Sequence, residues 1–377
     1  VKLIKFYFYL FLLTLSFSAC KGTEKDRVVS PSDSQIRMEY AQGFTVHKTN
    51  DYTEITVRNP WDTLKVLQKY ILVDRTKELP SKLPEGIIIR TPLKSVAAYS
   101  SIHCAALAEL GVQDIITGVC EPDYINLPFV KKGISDNTIV NLGQAAAPDV
   151  EKAIMLSPEA ILAAPIEGAT FGAIEKTKIP IIQTPDYMEK SALGIAEWLR
   201  FYAYFVGKED LADSLFTATK TNYNAIIEKT ATANSKPSVM LDIMFNNIWY
   251  MAGGGSFVVS MLHDAGATYI WDDVKTTGSQ RLSFESVLDK GEKSDFWLIK
   301  YNNTQNFTYN SLEKENKGYA QFDAFKNRSI YECNMSKANY YEDLTIHPDW
   351  ILKDFAIIFH PDLFEGEITK YYKKMNE

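Results

Sequence analysis

Along the chain, hydrophobic positions fall twice into the same succession of short apolar runs and helix-period stripes. The first succession begins with the apolar run at 95–99, stops at Ser100-Ser101, and enters a helical stripe over 105–110 that Gly111 closes. Ile115-Ile116 opens another short run, Glu151 heads a short helix, and 160–164 reads as a strand. The second succession begins at 239–244, turns through Gly253-Gly254-Gly255, and enters a helical stripe over 257–265 closed by Gly266. Glu285 then heads a short helix before the strand at 296–299. Strands alternating with helices predict parallel sheets with crossover connections. The two copies differ in spacing, so they predict two equivalent lobes rather than tandem modules, with a ligand site between them.

Between the lobes, 191–206 carries the longest uninterrupted helical pattern. Leu193, Ala196, Trp198-Leu199, Tyr202 and Phe205-Val206 give it a wide apolar face, and Gly207 ends it. At 1.5 Å per residue it spans about 24 Å, enough to cross from one lobe to the next. A second helical pattern over 209–230 continues into the other lobe. Ahead of the lobes, Phe44-Thr45-Val46 and 53–57 are β-rich and flank Asn50-Asp51, a hairpin turn. Residues 66–73 predict a third strand. Pro80, Pro84 and Gly86 set this small β extension apart from the α/β body.

The N-terminus reads as a targeting segment. Lys2 and Lys5 precede an apolar run at 6–17, well short of the ~20 residues of a membrane-spanning helix. Phe17-Ser18-Ala19-Cys20 resembles a bacterial lipobox, with Cys20 as the lipidated first residue of the mature chain and Phe17 where Leu is commoner. An ordinary secretory signal is the alternative. Residues 21–35 are polar and punctuated, a tether rather than a folded element. The expected division is a lipoprotein signal peptide 1–19, a flexible tether 20–35, a β extension 36–90, an N-terminal lobe 91–190, a linking helix 191–207 and a C-terminal lobe 208–377. Such a chain is expected in the bacterial cell envelope, anchored to a membrane and facing the periplasm.

Composition narrows the function. A net charge of −7 with no basic cluster argues against nucleic acid as a partner. Cys104, Cys120 and Cys333 show no C-x-x-C spacing, so neither a disulfide framework nor a zinc ribbon is indicated. Cys104 and Cys120 could bridge within one lobe, but buried free thiols fit better. His47, His103, His263, His347 and His360 are scattered without a paired ligand motif, and no G-x-S-x-G elbow occurs. The run Gly253-Gly254-Gly255 lacks the Lys-Ser/Thr of a nucleotide loop and predicts a tight turn.

Taken in order, several segments resemble the cobalamin/siderophore/haem-type periplasmic substrate-binding lipoproteins of ABC importers. They are 95–119, Asn141-Leu142-Gly143 leading to Asp149-Val150-Glu151, and 157–162. Further on come 253–257 running into 264–267, Leu282-Ser283-Phe284-Glu285, and 347–364. The resemblance covers about 91–365 and leaves the β extension unexplained. It implies an α/β fold of two doubly wound, Rossmann-like lobes joined by a single long helix. It also implies no enzymatic activity, no intrinsic cofactor, and a bound metal chelate: an iron–siderophore, cobalamin or haem. The implied protein partners are the permease and ATPase subunits of an ABC importer.

Loops at the carboxyl ends of the strands are then expected to face the cleft. They nominate Ser100, Ser101, Glu121, Tyr124, Gln144 and Glu167 in the first lobe. In the second they nominate Trp249, Tyr250, Gln280, Arg281, Tyr301, Asn302, Tyr340 and Tyr341. Arg281 suits an acidic ligand edge, because a guanidinium binds carboxylate or phenolate oxygens bidentately. The resemblance further implies that Glu151 and Glu285, one per lobe, meet arginines on the two permease subunits. Helix-start electrostatics alone would also favour a carboxylate at each place. Two alternatives use His103: a zinc- or manganese-ion binding protein of related fold, and a chelatase-like enzyme that pairs His103 with Glu167.

Overall fold

The computed structural model describes residues 34–377. The signal segment, Cys20 and nearly all of the tether lie outside the described residues. Among the described residues no helix is long and apolar enough to cross a membrane.

The chain first builds a five-stranded sheet in sequence order from β1 (Ser34–Ile36), β2 (Phe44–Lys48), β3 (Thr53–Arg58), β4 (Val66–Asp74) and β5 (Ile87–Thr91). The hairpin around Asn50-Asp51 forms as the alternation predicts, with Thr53 opposite Lys48. The expectation of three strands set apart at Pro80–Gly86 is corrected. That segment is a crossover, because β5 returns parallel to β4, with Ile71 opposite Ile88. Phe44, Val46, Ile55 and Val57 alternate inward and are buried.

The N-terminal lobe follows. Its strands are β6 (Val96–Ala98), β7 (Ile116–Val119), β8 (Val140–Asn141), the two-residue pair β9 (Gly143–Gln144) and β10 (Ala147–Pro148), β11 (Ala160–Ala163) and β12 (Ile181–Gln183). The helices α1 (Ser101–Glu109), α2 (Pro128–Ser135) and α3 (Val150–Leu156) cross between them. The main sheet has the parallel order β12-β11-β6-β7-β8. Its winding therefore reverses between β6 and β11.

Two helices, α4 (Ala192–Val206) and α5 (Glu209–Thr230), then fold back on each other. At 22 residues α5 is longer than α4 at 15, so the expected single linking helix is corrected to a helical hairpin. The apolar stripe made 191–206 look like the connector because α4 is buried at every position except Arg200 and Tyr204. Its start, Ala192 and Leu193, belongs to the core of the C-terminal lobe and its end to the core of the N-terminal lobe. Along α5 the order inverts, from Ala212 to Tyr223. Both helices therefore span the boundary.

The C-terminal lobe contains β13 (Ser238–Leu241), β14 (Met244–Phe245), β15 (Ile248–Ala252), β16 (Thr268–Tyr269), β17 (Ser279–Leu282), β18 (Phe296–Tyr301), β19 (Ile330–Asn334) and β20 (Lys373–Lys374). Its helices are α6 (Phe257–Asp264), α7 (Phe284–Gly291), α8 (Tyr309–Glu315), α9 (Asp323–Lys326), α10 (Tyr340–Leu344) and α11 (Pro348–Phe359). The main sheet runs β16-β13-β18-β19-β20, parallel except for β20. Here the winding reverses between β13 and β18. β14, β15 and β17 form a separate antiparallel sheet.

Two devices fasten the N-terminal sheet to this frame. The Tyr70 hydroxyl on β4 donates to the Ile181 carbonyl (3.1 Å) and accepts from the Gln183 amide (2.7 Å). It thereby covers the open edge of β12, which would otherwise present unpaired backbone groups. The Glu197 carboxylate on α4 accepts the backbone amides of Glu39, Tyr40 and Ala41 at 2.7–2.9 Å. Glu189 in turn accepts from the amides of Gln42 and Gly43 and from the Trp198 indole.

Candidate ligand-binding cleft

In doubly wound sheets, ligands bind outside the carboxyl ends of the strands where the winding reverses. In the N-terminal lobe that point lies between the ends of β6 and β11. Ser100 and Ser101 follow β6, and Glu167 follows β11. In the C-terminal lobe it lies between β13 and β18, at Asp242, Lys300 and Tyr301-Asn302. The lobes touch along α1 and at the loops after β7 and β19. Asn126 after β7 donates to the Met335 carbonyl after β19 (2.9 Å), and His347 lies 3.3 Å from Glu109 on α1. Ser101 bonds to the Glu342 carboxyl on α10, whose pKa burial pushes up and this bond lowers.

Several nominated residues are exposed at the surface. Glu121, Gln144, Glu167, Arg281 and Asn302 are exposed, and Ser100 and Gln280 are partly so. Tyr124 is 71%, Tyr341 45% and Tyr250 40% exposed. Glu121 caps β7 in the left-handed region (φ 51°), and Asp242 caps β13 in the same way (φ 60°). A non-glycine residue held in that region is uncommon. The Arg281 guanidinium sits 6.0 Å from the Tyr250 ring centre, because Tyr250 and Arg281 are register partners on β15 and β17.

Three nominees are corrected. Trp249 is fully buried, its indole donating to the Leu241 carbonyl and stacking 5.8 Å from Trp297. Strand alternation explains this: Trp249 points inward and its neighbour Tyr250 outward. Tyr301 is buried on Glu332, and Tyr340 is buried among Tyr341, Tyr371 and Tyr372. Their rings have little surface left for a ligand.

Other residues at the switch points were not legible from pattern. Lys300 follows four apolar residues and looks like core, yet its ammonium lies 2.7 Å from Asp242. Burial pushes its pKa down, but Asp242, Tyr340 and Tyr341 together more than offset this and hold it above the usual lysine range. Around Tyr301-Asn302, the Asn334 amide donates to the carbonyl of Asn303 (2.7 Å) and to Asn306 Oδ1 (3.2 Å). The Ser336 backbone amide donates to Asn334 Oδ1 (3.1 Å). The loop 302–306 is therefore preorganised, with its amides at the surface. Ile166, Tyr187 and Phe245 are further exposed apolar groups next to strand ends. The sequence marks none of them, because exposure of a large side chain carries no period.

His103 is buried, with Nε2 2.8 Å from the Thr184 hydroxyl, and burial pushes its pKa down to about 3. It is a neutral core group packed on Tyr202, whereas Glu167 lies exposed. Cys104, Cys120 and Cys333 are free and buried, each pushed up to about 12 by burial. The amides of Gly253, Gly254 and Gly255 are consumed by the carbonyls of Gly278, Val274 and Thr276. A Cβ on Gly253 would meet the Thr276 carbonyl at 2.2 Å, so this run is the expected tight turn and holds no phosphate.

Asp186, just past β12, is buried, and burial raises its pKa from 3.8 to about 6 against the opposing Tyr202 hydroxyl bond. The folded state therefore holds this proton better than the unfolded chain. Its contribution is complete below about pH 4 and is lost as pH rises through about 6, a change of roughly 3 kcal/mol. Denaturant unfolding measured across that window should show Asp186→Asn with a correspondingly flatter pH dependence than the parent.

Glu151 and Glu285 are exposed in the first turns of α3 and α7, which Asp149 and Ser283 cap with their side chains. Beside Glu151, the same helix exposes Ile154 and Met155.

Comparison with known proteins agrees with this frame. The Periplasmic binding protein family model matches residues 96–336. The chain is 25% identical over 327 residues to an uncharacterized lipoprotein of Methanocaldococcus jannaschii, covering 82% of this chain and 76% of that protein. Among solved structures it is similar to an ABC-type Fe3+-hydroxamate transport system protein from Saccharomonospora viridis. That match has a TM-score of 0.56 at 18% identity and covers 71% of this chain and 94% of that one. It is also similar to a periplasmic heme binding protein from Pseudomonas aeruginosa, with a TM-score of 0.59 at 14% identity over 76% and 99% of the two chains. The match to the family model across both lobes shows that this chain belongs to the periplasmic binding protein family, whose members are non-enzymatic transport components.

Proposed function

We propose that the protein is a lipid-anchored substrate-binding protein that captures a metal chelate between its lobes and delivers it to an ABC importer. The chelate is an iron–siderophore, cobalamin or haem, and the anchor is Cys20, holding the protein to a cell-envelope membrane on its periplasm-facing side. The observation that carries the reading is the pair of doubly wound lobes in contact beside strand ends, Ser101 with Glu342 and Asn126 with Met335, with Tyr124, Tyr250 and Tyr341 exposed. The relatives named above are a lipoprotein, a ferric-hydroxamate transport protein and a heme binder, which supports a chelate over a bare ion. The buried, Thr184-bound His103 speaks against the zinc or manganese alternative. Titration with a panel of corrinoids, ferric siderophores and haem tests the reading. Micromolar or tighter affinity for at least one is expected, about −8 kcal/mol or better. Tight binding of free zinc with no chelate bound would overturn it.

Docking to the permease is assigned to Glu151 and Glu285. Exposed carboxylates on separate lobes would steer and orient the complex, and that contact should weaken with salt. Replacing both by Gln is expected to leave chelate affinity and thermal stability nearly unchanged while impairing transporter-stimulated ATP hydrolysis. Normal stimulation by the double variant removes the docking role.

A further inference from the structure

We infer that the two lobes are held on each other by a proton-dependent clasp, in which His347 and Glu342 of the C-terminal lobe close on α1 of the N-terminal lobe more firmly as the pH falls. Across the seam α10 packs against α1, and the Asn126 side chain after β7 ties down the Met335 carbonyl. Two titratable groups lie in this contact, and they act with the same sign.

The first is His347, which stands between α10 and α11 and lies 3.3 Å from Glu109 at the end of α1. Imidazole is charged only when protonated, so the contact becomes an ion pair as the pH falls. The bond from His347 holds Glu109 below the usual glutamate range, so the carboxylate stays ionised while the imidazole takes up its proton. The ring is fixed in place: it stacks 3.9 Å from Trp350, and the His347 backbone amide donates to the Asp343 carbonyl (2.6 Å). Two further charges stand nearby. Lys370 lies 3.4 Å from the centre of the Trp350 ring and opposes an imidazolium, although Asp343 takes its ammonium at 3.2 Å. Asp349 in the first turn of α11 favours one, and is itself bound by Asn222 on α5 (3.2 Å).

The second is Glu342 on α10, buried against the other lobe. The Ser101 hydroxyl and the Asn126 backbone amide bind its carboxyl, the Cys104 thiol on α1 lies near it, and Asp343 is the next charge on its own helix. No cation pairs with it among the described residues. Burial therefore pushes its pKa up, against those two hydrogen bonds. Parting the lobes returns the carboxyl to water and to its usual value. Its contribution to closure is thus complete below that usual value and is lost as the pH rises through the raised one. On the chelate reading, a ligand between the lobes would be retained more firmly in acid and exchanged more readily near neutrality.

Hydrogen–deuterium exchange on the intact, ligand-free protein tests the clasp, at about pH 5.5 and about pH 7.5 and corrected for the intrinsic pH dependence of amide exchange. Amides of α1, of residues 122–126 and of α10 are expected to be at least about threefold better protected at the lower pH. Combining His347→Gln with Glu342→Gln should abolish that gain while β13 and β18 exchange as in the parent. Asp186, present in both proteins, cannot produce such a difference. An equal gain in the double variant overturns the clasp, as does a parent whose seam amides are no better protected in acid. Because no ligand is added, a protein that binds no chelate leaves this result untouched, so the two readings fail separately.

Discussion

Glu197→Ala is expected to lower the free energy of unfolding by about 3–5 kcal/mol, the range found when one partner of a buried charged network is removed. Glu197 has no exposed surface, and its two oxygens accept three consecutive backbone amides, from Glu39 to Ala41, as well as an Arg200 hydrogen bond. Truncation strands the three amides at once and takes one partner from Arg200. Each buried amide left without an acceptor costs about 1–3 kcal/mol, and Arg200 keeps only its outer partners Asp213 and Glu39. Glu197→Gln retains one acceptor oxygen and should lose less. Chemical denaturation with intrinsic fluorescence measures both. Equal stability of Glu197→Ala and the parent would show that the N-terminal segment is not held by this carboxylate.

The second large effect separates two adjacent residues. Trp249→Ala removes a fully buried indole stacked on Trp297 and should cost about 3–5 kcal/mol of stability. Chelate affinity of the molecules that remain folded should hardly change. Tyr341→Ala should do the reverse: little loss of stability, and chelate binding weakened by about 2 kcal/mol, roughly thirtyfold, as for other aromatic anchors at interfaces. Thermal melts and ligand titration on both variants provide the two readouts. An affinity loss confined to Trp249→Ala would place the cleft on the other side of the β14–β15–β17 sheet.

Trp249 shows where sequence reasoning stopped. The alternation of strand and helix, the hairpin at Asn50-Asp51 and the helix starts at Glu151 and Glu285 were all readable, because each depends on periodicity or local turn chemistry. The sheet order was not readable, and with it neither were the two switch points. Pairing of β4 with β5 across Pro80–Gly86 is a non-local contact that a local break disguises. Which face of β15 points inward depends on the sheet it lies against, so Trp249 and Tyr250 could be nominated together but not told apart. Lys300 and Asn334 read as ordinary strand residues. Only the register that sets Lys300 beside Cys333 and Tyr301 beside Asn334, together with the turn at Asp242, gives them a place at the cleft.

The way the first sheet is covered also bears on how the chain comes to be made. Phe44 meets Trp198 at 4.9 Å and Phe201 at 5.3 Å, and Tyr70 meets Phe205 at 5.5 Å. The inner face of the earliest folded element is therefore closed by a helix that leaves the ribosome more than a hundred residues later. Until α4 arrives, Phe44, Val46, Ile55 and Val57 lack the aromatic layer that closes over them. Such long-range closure slows folding and leaves apolar surface and strand edges open to aggregation in the interval. A chain truncated before residue 190 should consequently be held by chaperones or degraded rather than accumulate as a free-standing N-terminal half.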